Sequence, residues 1–212
     1  MSEIILLSDP AVAAVPVAEC GEPLVDLRTV RALRMDDRFA GADGAYARVR
    51  LGVADRLVNA QTLLPAGIRL LVLEGHRPAA AQERLFAAAV ARLRAERPDA
   101  DDAWLRGAAA VHHAPPALAP HVTGGAVDLT LVGRDGAPLW MGSLVHDPDP
   151  AHCPTGCDGV VGDARGHRDL LTGAMRRAGL VNYAAQWWHW SYGDRYWAHL
   201  TGAPAARYGE VS

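Results

Sequence analysis

The sequence predicts a single domain, residues 1–212, of mixed helix and strand, and three observations carry that expectation. Short β-prone runs such as 68–73 and 126–132 alternate with longer stretches at helical spacing. Half of the 212 residues are hydrophobic, enough for one sizeable core. Neither an internal repeat nor a linker-like composition interrupts the chain.

Residues 1–28 alternate short apolar runs with Pro10, Pro16, Gly21 and Pro23, and read as extended arms wrapped on a core. Residues 28–47 are charged and irregular and read as surface loop. From Tyr46 to Leu64 the residues Val49, Val53, Leu57, Ala60 and Leu64 recur at helical spacing, and Pro65-Ala66-Gly67 ends that helix. Ile68 to Leu73 is a buried strand that delivers Glu74-Gly75-His76-Arg77-Pro78 at its end. Ala79 to Ala95 is an alanine-rich helix with Leu85, Phe86, Val90 and Leu93 on one face, and 103–111 adds a short helical turn. The approach to His121 is extended by Pro115, Pro116 and Pro120; His112 and His113 read as loop histidines, splayed from the core by those prolines.

Ala126 to Val132 is a strand with Val127, Leu129 and Leu131 on one face and Asp128 on the other, turned toward a site or solvent. Gly133 to Gly136 is a hairpin-like turn. Residues 142–168, rich in Gly, Pro, Asp and His, read as a long ordered loop walling a site. A helix over 170–178, stopped by Gly179, and strand segments over 180–183 and 187–191 complete the chain.

A formal charge of -3 offers no footprint for nucleic acid or an anionic membrane. No apolar run reaches the ~18 residues of a membrane span. Met1 to Leu7 lacks a signal-peptide layout, so a cytoplasmic location is the default expectation. Three cysteines, an odd count, argue against a disulfide framework. Cys153 and Cys157 lie beside His152, but without a second ligand pair they read as a loop with two thiols. The sequence leaves a homodimer open.

The chemistry gathers in two segments. His121 and Asp128 in one, and His189 in the other, form a ligand set that suits zinc with a fourth position open. Seven residues along a straight strand would put His121 and Asp128 on opposite faces; the turn Thr123-Gly124-Gly125 lets both meet one ion. Arg77, held between Gly75 and Pro78 at a strand end, suits an anion or a developing oxyanion.

Together these segments resemble the VanX-type D-Ala-D-Ala dipeptidases, zinc enzymes related to D-Ala-D-Ala carboxypeptidases and the hedgehog N-terminal domain. The family patterns D/E-G-Y-R-P, S-x-H-x-x-G-x-A-x-D-L and E-W-W-H stand here as Glu74 to Pro78, Ala119 to Leu129, and Gln186 to His189. The resemblance also takes in Val25 to Arg28 and Trp190 to Asp194. It implies an α+β fold with a small antiparallel sheet flanked by helices, zinc on His121, Asp128 and His189, and a small dipeptide-like substrate. It also implies that Arg77 steadies the oxyanion and that the residue before Trp-Trp-His is the general base.

That last position is Gln186, a neutral amide without useful basicity. Ala119 stands where a substrate-holding serine is usual, and His76 where the loop has tyrosine. The loop Met141 to Asp147 brings either His146 or Asp147 to the place of the aspartate that binds the substrate's amino end. Three changes together favour divergence over a single introduced exchange at Gln186. The sequence thus expects Gln186 and Arg77 at the reacting bond, and Glu74, His76, Ala119 and Asp147 around the substrate, with Glu74 and His76 as substitute bases. Three activities remain open: impaired dipeptide hydrolysis, binding of zinc and ligand without turnover, and altered zinc chemistry in small-molecule biosynthesis.

Overall fold

In the computed structural model, which describes residues 4–41 and 43–211, five strands form the main sheet. The elements run α1 (Pro10–Ala13), β1 (Leu24–Asp26), β2 (Arg34–Met35), β3 (Arg48–Arg50) and α2 (Leu51–Thr62). They continue with β4 (Arg69–Glu74), α3 (Ala79–Glu96), α4 (Asp102–Ala110), β5 (Ala126–Val132) and α5 (Gly162–Arg177). β6 (Val181–Asn182), β7 (His189–Ser191) and α6 (Arg195–Thr201) close the chain. The sheet order is β2-β4-β5-β7-β6, and β1 pairs with β3 in a separate antiparallel ribbon. Only the edge pair β2–β4 is parallel; the other pairs of the sheet are antiparallel. The α+β class with a small, mainly antiparallel sheet is therefore as expected.

All seven residues of β5 are buried, because both faces of this central strand are covered. Val127, Leu129 and Leu131 join Val53 and Leu57 of α2 and Leu171 and Met175 of α5 in the main core. α3 and α4 form a smaller cluster through Phe86, Ala89, Ala109 and Ala110. The three tryptophans of the aromatic run, Trp187, Trp188 and Trp190, are each nearly inaccessible and anchor the turn into β7.

Several boundaries differ from the expectations. The helix expected from Tyr46 starts at Leu51, because 45–47 form a 3-10 turn and 48–50 pair with β1. Val49 still faces the same core as Val53 and Leu57, so the helical spacing runs on through a strand residue. The surface loop expected over 28–47 contains β2 and the buried Leu33 and Tyr46. The extended approach over 115–120 is instead two 3-10 turns, Pro116–Leu118 and Pro120–Thr123. The walling loop ends at 161, since α5 begins at Gly162 and not at Leu170. The buried guanidinium of Arg168 explains this: it donates to the carbonyls of Met141, His152 and Pro154 and fastens the loop to the helix. Among the described residues of the extended arms, 10–13 turn helical and a 3-10 turn begins at Leu27. The head of the chain, Met1 to Glu3, lies outside the described residues. No helix of the described residues is long and apolar enough to cross a membrane.

Candidate metal centre and its cavity

Strand register assembles the centre. Asp128 of β5 stands directly opposite His189 of β7. On its other side Asp128 faces Glu74 of β4, and this depends on a bulge. Leu71 pairs with Thr130 and Val72 with Leu129, so regular pairing would set Leu73 against Asp128. The bulge between Val72 and Glu74 shifts the register by one and brings the carboxylate there instead. His121 arrives from the 3-10 turn Pro120–Thr123, which Gly124 ends with φ 68°. A side chain at Gly124 would also strike Leu24, with its Cβ 2.5 Å from that side chain. The bend foreseen at Thr123-Gly124-Gly125 thus brings His121 and Asp128 together.

Three donor atoms converge. Asp128 Oδ1 lies 2.9 Å from His189 Nδ1 and 3.3 Å from His121 Nε2, and the two ring nitrogens are 3.2 Å apart. Four ligands at zinc–nitrogen and zinc–oxygen distances on a tetrahedron are separated by about 3.3 Å, so these spacings fit one small ion. His121 Nδ1 donates to the Gly75 carbonyl at 2.6 Å, which leaves the Nε2 lone pair facing the other donors. His146 Nε2 sits 2.6 Å from Asp128 Oδ2, the oxygen turned away from the cluster. His146 reaches this position from a left-handed backbone, φ 57°, and its ring lies edge-on to Trp188.

Electrostatics follow from that packing. Burial would raise the Asp128 carboxyl, but the His121 charge and hydrogen bonds from His121, His146 and His189 hold it well below the usual range. Burial would lower His121, yet the Asp128 charge outweighs it and raises the imidazole. For His189 burial prevails over Asp128, and the imidazole is lowered.

The cluster opens into a cavity of about 860 Å³, which Arg77, Gln186, Ala119 and Asp147 also line. Arg77 is fixed from two sides. Its Nε and one terminal nitrogen grip both Glu74 oxygens at 2.7 and 2.5 Å, and the other terminal nitrogen donates to Gln82 Oε1 at 2.6 Å. Gln82 in turn donates to the Ala114 carbonyl. The Gln186 amide donates to the His112 carbonyl at 3.3 Å. Asp147 Oδ2 and Oδ1 accept from the backbone of Leu144 and Asp149, so of the two residues in question it is His146 that faces the cluster.

His76 does not fall in the cavity wall. Its backbone and that of Gly75 bond to the carbonyls of Arg48 and Tyr46, and its ring is buried, lowered by burial, with Nε2 unpartnered among the described residues. Glu74 does line the cavity, with both oxygens committed to Arg77. His113, expected to be a mere loop residue, lines the cavity too; burial, with help from nearby His112 and Arg77, pushes its imidazole down to about 4. Gln82 was not foreseen. A glutamine buried on the alanine-rich face of α3 was the signal that could have marked it.

An open-sided His–Asp–His cluster with a fixed arginine in the same cavity is the equipment of a metal-dependent hydrolase. The chain belongs to the D-Ala-D-Ala dipeptidase family of peptidases, whose model matches residues 24–203. A D-alanyl-D-alanine dipeptidase of Synechocystis sp. is 29% identical over 240 residues, covering 93% of this chain and 95% of that protein. VanYB in complex with D-alanine-D-alanine matches 76% of this chain and 81% of its own, at 17% identity and TM-score 0.44. The LdcB LD-carboxypeptidase matches 87% and 75%, at 19% identity and TM-score 0.48. Both structural likenesses are too loose to bear on the site.

Proposed function

We propose that this protein is a zinc-dependent member of its family that binds a small dipeptide-like amide and hydrolyses it slowly because Gln186 replaces the general base. The observation that carries this reading is the convergence of His121, Asp128 and His189 at 2.9–3.3 Å in the cavity that also takes in Arg77 and Gln186. Bound zinc supplies Lewis acidity and a water whose pKa falls toward ~7. Asp128 would hold the ion through Oδ1, while His146 holds the other oxygen. His121 is oriented by the Gly75 carbonyl, which fixes the tautomer that binding needs. Arg77 uses three N–H groups on Glu74 and Gln82, which leaves two of its five donors for a carbonyl oxygen gaining charge.

The departing amine needs a proton, and Gln186 cannot relay one. Losing a positioned acid or base costs about 10²–10⁴ in rate. Gln186→Glu is therefore expected to raise D-Ala-D-Ala hydrolysis by about 100-fold or more, measured on both forms at matched zinc content over a pH series. Ordinary turnover by the unmodified chain with no gain from Gln186→Glu would overturn this account, and His113 would be the next base to mutate. The commitment of both Glu74 oxygens to Arg77 favours a second reading, retention of zinc and ligand without turnover, because it removes one substitute base. No hydrolysis by the unmodified chain, together with stoichiometric zinc, separates that reading from the first.

A further inference from the structure

The cavity is larger than a dipeptide requires, and its surplus has a direction. From Arg77 and Gln82 it follows one stripe of α3, through Ala81, Leu85 and Arg92. These positions are spaced by four and seven residues, so they share a helix face. Eleven residues of helix separate Ala81 from Arg92, a length of about 16 Å. Two residues of extended peptide span at most about 7 Å. A ligand confined to the metal centre would leave the far half of the cavity empty.

The walls of that far half are apolar in the middle and basic at the end. Leu85 and Leu93 of α3 line it together with Ala108 and Val111. Burial lowers the imidazole of His112, and Arg92, the lining residue farthest along the stripe from Ala81, lies close enough for its charge to lower it further. Among the described residues the acidic groups lining the cavity are Glu74, Asp128 and Asp147, all on the metal side. Arg92 has an ion-pair contact with Glu96 at 3.7 Å, between two largely exposed side chains, which holds it weakly.

We infer that the protein takes an extended ligand: a dipeptide-like amide carrying an apolar arm of peptide length that ends in a carboxylate at Arg92. The inference rests on the proposed function for the amide end alone. The arm is read from α3 and α4.

The test is calorimetric titration of the zinc-loaded full chain, whose slow turnover preserves the ligands. One series is N-acetyl-, N-pentanoyl- and N-glutaryl-D-Ala-D-Ala. The other is D-Ala-D-Ala methylamide, butylamide and 3-carboxypropylamide, which places the arm on the opposite end. In one series the longer arm is expected to bind about ten-fold tighter than the short one, and the carboxylate about ten-fold tighter again. Arg92→Gln is expected to erase the second gain and keep the first. Ala108→Phe, which fills the apolar stretch, is expected to remove both. Equal affinities within both series, including no measurable binding of any ligand, overturn the inference, as does a carboxylate gain that survives Arg92→Gln. Zinc content and the gain from Gln186→Glu, read on the same preparations, report separately on the proposed function.

Discussion

Asp128 and Asp194 are buried to the same degree, each 2% exposed, and their carboxyls move in opposite directions. Asp194 caps α6, accepting from Trp197 N and Ser191 Oγ on one oxygen, while the other finds no partner among the described residues. Burial prevails there and pushes the carboxyl from the ordinary 3.8 up to about 6. Around Asp128 three imidazoles reverse the same penalty. Depth therefore does not mark a site in this molecule; the partners that face the buried charge do.

Exchanging each carboxylate for its amide tests the contrast most severely. Asp128→Asn removes the anionic ligand and is expected to weaken zinc binding by more than about 100-fold, whereas Asp194→Asn should leave stoichiometric zinc in place. Elemental analysis of both variants decides it, and equal zinc loss would erase the distinction.

Stability against pH sharpens the other half. The folded state holds the Asp194 proton more tightly than the unfolded chain does, so this group's contribution is complete below about pH 4. It is lost as pH rises through about 6. The loss is on the order of 3 kcal/mol for a shift of this size. Asp194→Asn keeps the acceptor for Trp197 and should flatten urea-derived stability between pH 4 and 7. A slope as steep as that of the unmodified chain would count against the raised carboxyl.

The smallest effect concerns His146, whose Nε2 meets Asp128 at its outer oxygen, Oδ2. His146→Ala is expected to reduce zinc affinity by about 10–100-fold without abolishing it, read by competition with a chelator. No change would mean that Asp128 is positioned by the sheet alone.

Much of this was legible in the residues. Alternation along 126–132 fixed both the strand and the side on which Asp128 lies, and the Gly-Gly turn explained how His121 could join it. The bulge was not legible, because nothing in Leu70 to Glu74 says which residue is doubled; it decides that Glu74 and not Leu73 adjoins Asp128. The first turns of α5 were missed because Gly162 and Gly166 are poor helix formers. What holds that helix is a tertiary contact, Arg168 on three loop carbonyls, invisible to local propensity. β2 is two residues long and pairs in parallel with a strand far along the chain, too little for any periodic signal.

The direct pairing of Asp128 with His189 has a consequence for how the ion would come and go. Two of the three donors are set by the hydrogen-bonded ladder between β5 and β7. In small metal-nucleated domains the apo chain is unfolded, and chelation is denaturation. Here strand register holds two of the donors, so loss and return of the ion at this buried cluster should be reversible without unfolding of the chain. A one-residue slip of β7 would turn His189 away and present Trp190 in its stead. Uptake of metal would then report, in a refolding experiment, the moment at which β5 and β7 find their register.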